Sequence, residues 1–309
     1  RKGKIINLKE IVDESASSIQ FVKNVIVYQR TGQKIQVNEK DLMWSDIMID
    51  SSDVCESEKL DSNDLLYILY TSGTTGKPKG VLHGIGGYLT HLYSTYKWAF
   101  DIKDNDVYFC TADIGWVTGH SYVVYGPMLH GATQVMYEGA PDYPDSSRMW
   151  NIIQKYGVTI FYTTPTALRM LMKFGDDIPN SYNLSTLRLL GTVGEPINPH
   201  VWKWYFDVIG KNRCPIIDTW WQTETGGMLI SPLPGIETIP LKPGSATLPI
   251  PGLDIEIVDE FGNEVKPETK GSLIIKTPWP GMLLGLWKDN EKYKNVYWSK
   301  FESLYYTGD

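Results

Sequence analysis

Two spacings of apolar residues alternate along most of the chain. Short β-branched or fully apolar runs have the pattern of strands. Longer stretches, in which apolar side chains recur every three or four positions, have the pattern of helices. The first kind predicts strands at Asn24–Tyr28, Leu65–Tyr70, Val107–Cys110, Thr133–Tyr137, Val158–Tyr162, Leu187–Leu190 and Ile216–Trp220. The second predicts helices at Gly87–Phe100, Ser147–Tyr156, Thr166–Phe174 and Pro199–Ile209. The last helix has favourable ends: Asn198 suits its N-cap, Pro199 its first turn, and Gly210 its stop. Leu65–Tyr70 is apolar on both faces, which predicts a strand buried inside a parallel sheet.

Past residue 232 the pattern changes. Pro232, Pro234, Pro240, Pro243, Pro249 and Pro251 break any helix. Asp254–Val258 and Gly271–Lys276 then read as strands, with a turn at Phe261-Gly262-Asn263 between them. The fold class expected is α/β: a layered αβα core with a mostly parallel sheet, followed by a small β-rich, barrel-like subdomain. The chain starts at Arg1 without a Met and stops at Asp309 in a turn, so it reads as a fragment.

Composition narrows the function class. The 309 residues carry 29 Lys plus Arg against 36 Asp plus Glu, a net charge of −7. That balance argues against a nucleic-acid partner or an anionic membrane held by general electrostatics, though a local pair such as Lys77 and Lys79 suits a small phosphate ligand. The cysteines Cys55, Cys110 and Cys214 are far apart and lack CxxC spacing, which speaks for reduced cytoplasmic thiols rather than a disulfide framework or a zinc site. No apolar run approaches the roughly 18 residues of a membrane span. The five histidines show no metal-binding spacing.

The strongest chemical signal is Tyr70-Thr71-Ser72-Gly73-Thr74-Thr75-Gly76-Lys77-Pro78-Lys79-Gly80, directly behind an apolar run. Glycines let backbone N–H groups approach an anion closely. Hydroxyls donate to phosphate oxygens, and lysines supply charge. A Walker A loop requires Ser or Thr after its lysine, to bind magnesium, and Lys77 is followed by Pro78. The stretch instead resembles the phosphate loop of the adenylate-forming superfamily, which holds acyl-CoA synthetases, luciferases and peptide-synthetase adenylation domains.

Three later motifs stand in that family's order. Gly194-Glu195-Pro196 resembles the turn that packs on adenine. Asp218-Thr219-Trp220-Trp221-Gln222-Thr223-Glu224-Thr225-Gly226 resembles the family's second signature, and Tyr306-Thr307-Gly308-Asp309 its YxTGD motif. The resemblance implies that Thr71, Ser72, Gly73, Thr74, Thr75, Gly76, Lys77 and Lys79 bind the ATP phosphates. It assigns Gly194, Glu195, Pro196, Asp218, Thr219, Trp220 and Asp309 to adenine and ribose, with Asp218 on the adenine amino group and Asp309 on the ribose hydroxyls. Thr223 and Glu224 are the implied catalytic residues, Thr223 at the α-phosphate and Glu224 on Mg²⁺. Trp116, Val117, Thr118, Val193 and Trp221 resemble the acyl-pocket elements of acetyl-CoA synthetases, and an indole at Trp221 leaves room for acetate rather than a long acid.

The implied reaction is attack of a carboxylate on ATP to give an acyl-adenylate and pyrophosphate, then transfer of the acyl group to coenzyme A. Substrate partners are therefore acetate, ATP and CoA. Propionate activation is the nearest alternative, then an adenylating ligase with another acceptor, and a nucleotide-binding module without catalysis is the alternative from another class. The same resemblance divides the chain into a remnant of an N-terminal lobe (residues 1–60), a central ATP- and acyl-binding part (61–232) and a β-rich part reaching the hinge side (233–309). Family members carry beyond the TGD motif a mobile domain with an assisting lysine. The chain alone is accordingly expected to bind ATP but to adenylate poorly.

Overall fold

The computed structural model describes residues 2–72 and 77–309. They fall into two compact units that meet in sequence at Lys59 and Leu60. The first holds helix α1 (Leu8–Ser17), strands β1 (Val25–Val27) and β2 (Asp41–Met43), and helix α2 (Trp44–Ile49). β1 and β2 pair in parallel, and Lys9 is tied to Asp41 at 2.8 Å and Asp13 at 2.5 Å.

The second unit opens with the hairpin β3 (Leu65–Thr71) and β4 (Lys79–Gly84). Here the expectation of a strand buried in a parallel sheet fails. β3 pairs antiparallel with β4, and most of its side chains are only half-buried. An apolar run reports that both faces meet protein, but not which strand its backbone pairs with. The ladder puts Thr71 opposite Lys79, so the described ends of the phosphate-loop sequence lie side by side.

Helix α3 (Ile85–Phe100) follows, then β5 (Val107–Cys110) and a helical stretch from Val117 to Leu129 whose middle, His120–Tyr125, is a π-turn. Next come β6 (Thr133–Val135), α4 (Arg148–Tyr156), β7 (Ile160–Thr163), α5 (Pro165–Met172), α6 (Asp177–Asn180), β8 (Leu189–Thr192), α7 (Pro199–Trp204, continued by a π-turn to Ile209) and β9 (Ile216–Asp218). Asn198 does cap α7, its side chain accepting from the His200 amide at 2.9 Å.

Strands β5 to β9 form one fully parallel sheet in the order β6–β5–β7–β8–β9. Alternate side chains feed two cores. Phe109, Phe161, Leu190 and Ile216 pack against Trp150, Ile153, Leu168 and Tyr205 of the helices on one face. Tyr108, Cys110, Ile160, Tyr162, Leu189 and Ile217 pack against Tyr88, Leu92, Tyr96 and Phe100 of α3 on the other. This is the expected αβα layering. The chain leaves β5 to opposite sides for β6 and β7, and in such sheets ligands bind outside the strands' carboxyl ends at that reversal.

The remainder is antiparallel. β10 (Ile255–Val258), β11 (Ser272–Ile275) and β13 (Tyr305–Tyr306) make a three-stranded sheet. β12 (Gly285–Leu286) joins β4, and helix α8 (Asn290–Tyr297), capped by Asp289, lies between β12 and β13 in sequence. Among the described residues no helix is long and apolar enough to cross a membrane.

Candidate active site

The described candidate residues sit on the loops after the parallel strands β5, β8 and β9, at the ends of the β3–β4 hairpin, and just past β13. After β8 the chain turns through Val193 and Gly194, the latter at φ +92°, a conformation that suits glycine. The Glu195 carboxylate is fixed from α5: the Thr166 amide donates to Oε1 at 2.7 Å and Arg169 Nη2 to Oε2 at 2.9 Å. Burial alone would raise the Glu195 carboxyl, but these partners leave it below the usual carboxylate range.

Asp218 ends β9. Thr192 Oγ1, one strand over, donates to its Oδ1 at 2.7 Å. Burial dominates here and raises the Asp218 carboxyl to about 6, with the Thr192 hydroxyl pulling the other way. Thr219 Oγ1 donates to the Thr192 carbonyl at 2.8 Å. Trp220 Nε1 and Gln222 Nε2 both donate to Asp309 Oδ2, at 3.0 and 2.9 Å, and Gln222 also reaches the Thr307 carbonyl at 3.0 Å. Gly194, Glu195, Pro196, Asp218, Thr219, Trp220, Trp221 and Asp309 thereby line one cavity of about 570 Å³, together with Gln222, Gly244 and Ala246.

The segment after Trp221 is held by its carbonyls. His83 Nε2 lies 2.7 Å from the Thr223 carbonyl, and the Leu283 amide donates to that of Glu224 at 3.0 Å. Trp279 Nε1 donates to Thr225 at 2.9 Å, and Ser121 Oγ to Gly226 at 2.8 Å. Burial lowers His83 to about 4, so the imidazole is neutral and its Nε2–H acts as donor. Gly226 has φ +74°, and a Cβ there would stand 2.4 Å from the Gly281 carbonyl oxygen, which restricts the position to glycine.

This frame brings Glu224 to the hairpin. Lys79 Nζ is 3.0 Å from Glu224 Oε1. The Tyr297 hydroxyl donates to the same oxygen at 2.6 Å and accepts from Lys79 Nζ at 2.8 Å. Burial would raise the Glu224 carboxyl, but Tyr297 and Lys79 more than offset it and hold it ionised. Burial, with the adjacent carboxylate, raises the Tyr297 phenol, so that group stays protonated.

Of the remaining predicted residues, Gly73, Thr74, Thr75 and Gly76 lie outside the described residues. Thr71 ends β3, its Oγ1 buried without a partner among the described residues. Ser72 and Lys77 are exposed. Val193 is buried in the α3-side core, and Trp221 packs edge-on to Tyr122 at 5.1 Å. Trp116, Val117 and Thr118 do not line the 570 Å³ cavity, and Trp116 is 72% exposed. Sequence reasoning missed Gln222, His83, Arg169 and Tyr297. Gln222 stood inside a quoted motif; the others carry no local signal, because each acts on a residue remote in the chain.

Comparison with known proteins is now decisive for the family. A family model described as AMP-binding enzyme matches residues 5–287. The chain belongs to this family. It is 54% identical over its whole length to an acetyl-coenzyme A synthetase of Rubrobacter xylanophilus, covering 48% of that protein. It is 52% identical to one of Pyrobaculum arsenaticum, covering 47%. The chain thus spans about half the length of the curated relatives it matches. The solved acetoacetyl-CoA synthetase from Streptomyces lividans shares the fold, with a TM-score of 0.88 at 24% identity, over all of this chain and 47% of that one.

Proposed function

We propose that the AMP-binding chain forms the nucleotide and acyl site of a ligase that activates acetate with ATP and passes the acetyl group to coenzyme A. The observation that carries this reading is the clustering of three distant motifs. Gly194–Pro196, Asp218–Trp221 and Asp309 share one cavity, and Glu224 beside them is paired with Lys79 of the phosphate-loop hairpin. Relatives named acetyl-coenzyme A synthetase support the choice of acid.

In the reading, adenine lies on Gly194–Pro196 with its amino group toward Asp218, and Asp309 accepts from the ribose hydroxyls. Gln222 and Trp220 keep the Asp309 carboxylate aimed by donating to one of its oxygens. Thr71, Ser72 and Gly73–Gly76, with Lys77 and Lys79, grip the departing diphosphate. The acetate oxygen forms a bond to the α-phosphorus as the bond to the bridging oxygen breaks, and pyrophosphate leaves with that electron pair. Thr223 faces the α-phosphate, and the work of the site is orientation and electrostatic stabilisation. In the second half-reaction the CoA thiol attacks the acyl carbon and AMP leaves.

Magnesium fits the donors present. Among the described residues no group of three acidic, His or Cys side chains could hold a metal. A single ionised carboxylate with phosphate oxygens and water is the usual Mg²⁺ arrangement. Glu224 would hold the ion, which supplies positive charge to the phosphate oxygens.

Trp221 packs against Tyr122, and in this reading its indole shortens the acyl pocket. One methylene in an apolar pocket is worth about 1–3 kcal/mol, so propionate is used more slowly rather than refused. The test is ATP–pyrophosphate exchange by the full-length protein with straight-chain acids from C2 to C6. Exchange should be fastest with acetate. Exchange supported only by the longer acids, or by none, contradicts the reading.

A further inference from the structure

Tyr297 ends α8, 73 residues downstream of Glu224 and 218 downstream of Lys79, and no motif points to it. Its hydroxyl closes a triangle: 2.6 Å to Glu224 Oε1 and 2.8 Å to Lys79 Nζ, which is itself 3.0 Å from the same carboxylate oxygen. Two donors of different character therefore converge on one acceptor. Lys79 is a point charge on a long flexible stem beside the phosphate loop, and the phosphates of a nucleotide compete for it. Tyr297 is neutral and rigid. Its ring is buried and stacked on Tyr305 at 5.3 Å and 6°, and it packs beside Tyr293 at 5.9 Å. A phosphate cannot draw this hydroxyl away without dismantling that stack.

We propose that Tyr297 is a positioning residue for Glu224: it keeps hold of Oε1 when bound nucleotide recruits Lys79, and so presents the carboxylate to the divalent cation that accompanies the phosphates. The proposal rests on the ATP-binding reading above and adds a division of labour within it. Lys79 answers to the phosphates, whereas Tyr297 answers to the carboxylate. In the ligand-free site the lysine neutralises Glu224, and on ligation the cation takes over that role while the tyrosine stays.

The two residues should then separate in a binding experiment. ATP affinity is measured calorimetrically on the full-length protein in EDTA and in excess Mg²⁺, for the wild type, Tyr297→Phe, Lys79→Met and Glu224→Gln with and without Tyr297→Phe. Phenylalanine keeps the stacked ring and removes only a hydrogen bond to a charged group, a loss of about tenfold. Tyr297→Phe should leave affinity in EDTA within about twofold and cut the Mg²⁺-dependent gain about tenfold. In the Glu224→Gln background the same change should alter neither value. Lys79→Met should weaken binding in both buffers alike and spare the gain from Mg²⁺.

Equal loss by Tyr297→Phe in both buffers means a merely structural tyrosine, and an unchanged Mg²⁺ gain means no role; either overturns the proposal. If Tyr297→Phe does not fold, selective loss of the Mg²⁺ gain in Lys79→Met overturns it, and equal weakening in both buffers supports it. A wild-type protein that binds ATP in neither buffer overturns the nucleotide reading itself, a failure distinct from the others.

Discussion

The adenine side and the phosphate side of the site are built by different means. On the adenine side the groups stand on strand ends or the turns after them, and their partners come from the neighbouring strand or the helix beside it: Thr192 of β8 on Asp218, and Thr166 and Arg169 of α5 on Glu195. The parallel sheet fixes the Glu195 and Asp218 positions, and Asp309 follows β13 of the antiparallel sheet. On the phosphate side Lys79, Glu224 and Tyr297 come from a hairpin, a turn and a helix, and they are held by one another. The first region is set by strand ends, the turns after them and side chains packed beside them. The second is a closed set of charges and hydrogen bonds that a charged ligand must open and rearrange. Recognition of the base should therefore tolerate the loss of single polar partners, whereas chemistry at the phosphates should not.

Substitution can break this contrast, most strongly at Glu224. Glu224→Gln keeps shape and removes charge, and acetate-dependent pyrophosphate exchange should fall about 10²–10³-fold. Exchange within a few-fold of wild type would show that the carboxylate is not part of the phosphate machinery. Trp221→Gly empties the end of the acyl pocket. Competition assays should show the ratio of hexanoate to acetate use rising by at least about tenfold, since each methylene accommodated is worth about 1–3 kcal/mol. An unchanged order of preference from C2 to C6 would remove Trp221 from the pocket.

On the adenine side the effects are smaller and mainly on stability. Asp218 binds its proton more tightly in the folded chain, at about 6, than its ordinary value of 3.8. Its contribution to stability is therefore fully present below the ordinary value and is lost as pH rises through about 6. Asp218→Asn should raise stability by about 1–3 kcal/mol at pH 8, with the gain shrinking toward pH 4 in denaturant titrations. A gain independent of pH would show that burial does not govern this carboxyl. The smallest effect belongs to Arg169, whose ion pair with Glu195 is partly exposed. Arg169→Ala should cost about 0–1 kcal/mol of stability and change AMP affinity no more than about fivefold. A larger drop in AMP affinity would make the Glu195 turn dependent on charge, and the contrast between the two regions would narrow.

How much was readable beforehand follows the same division. The strand ends and their loops were legible because both the apolar runs and the motifs are local. Val107–Cys110 has the predicted limits, and Gly194–Pro196 and Asp218–Trp221 line one cavity. The hairpin was misjudged because an apolar run does not name its pairing partner, and Leu65–Thr71 found Lys79–Gly84 rather than the parallel sheet. The helix predicted as Pro199–Ile209 changes to a π-turn at Tyr205, where the Tyr205 hydroxyl donates to the Phe161 carbonyl at 3.0 Å, a tertiary demand invisible to periodicity. Tyr297 is one of 19 tyrosines and sits in a mostly polar helix, so only the folded chain reveals that it meets Glu224.

The central claim is that one ligand spans both regions, and a crystal structure of the full-length protein with a non-hydrolysable acetyl-adenylate mimic tests it most directly. The account predicts adenine on Gly194–Pro196, ribose hydroxyls at Asp309, the phosphate toward Thr223, and a two-carbon acyl group stopped by Trp221. A mimic bound elsewhere, or an acyl cavity beside Trp221 deep enough for a long chain, would contradict it.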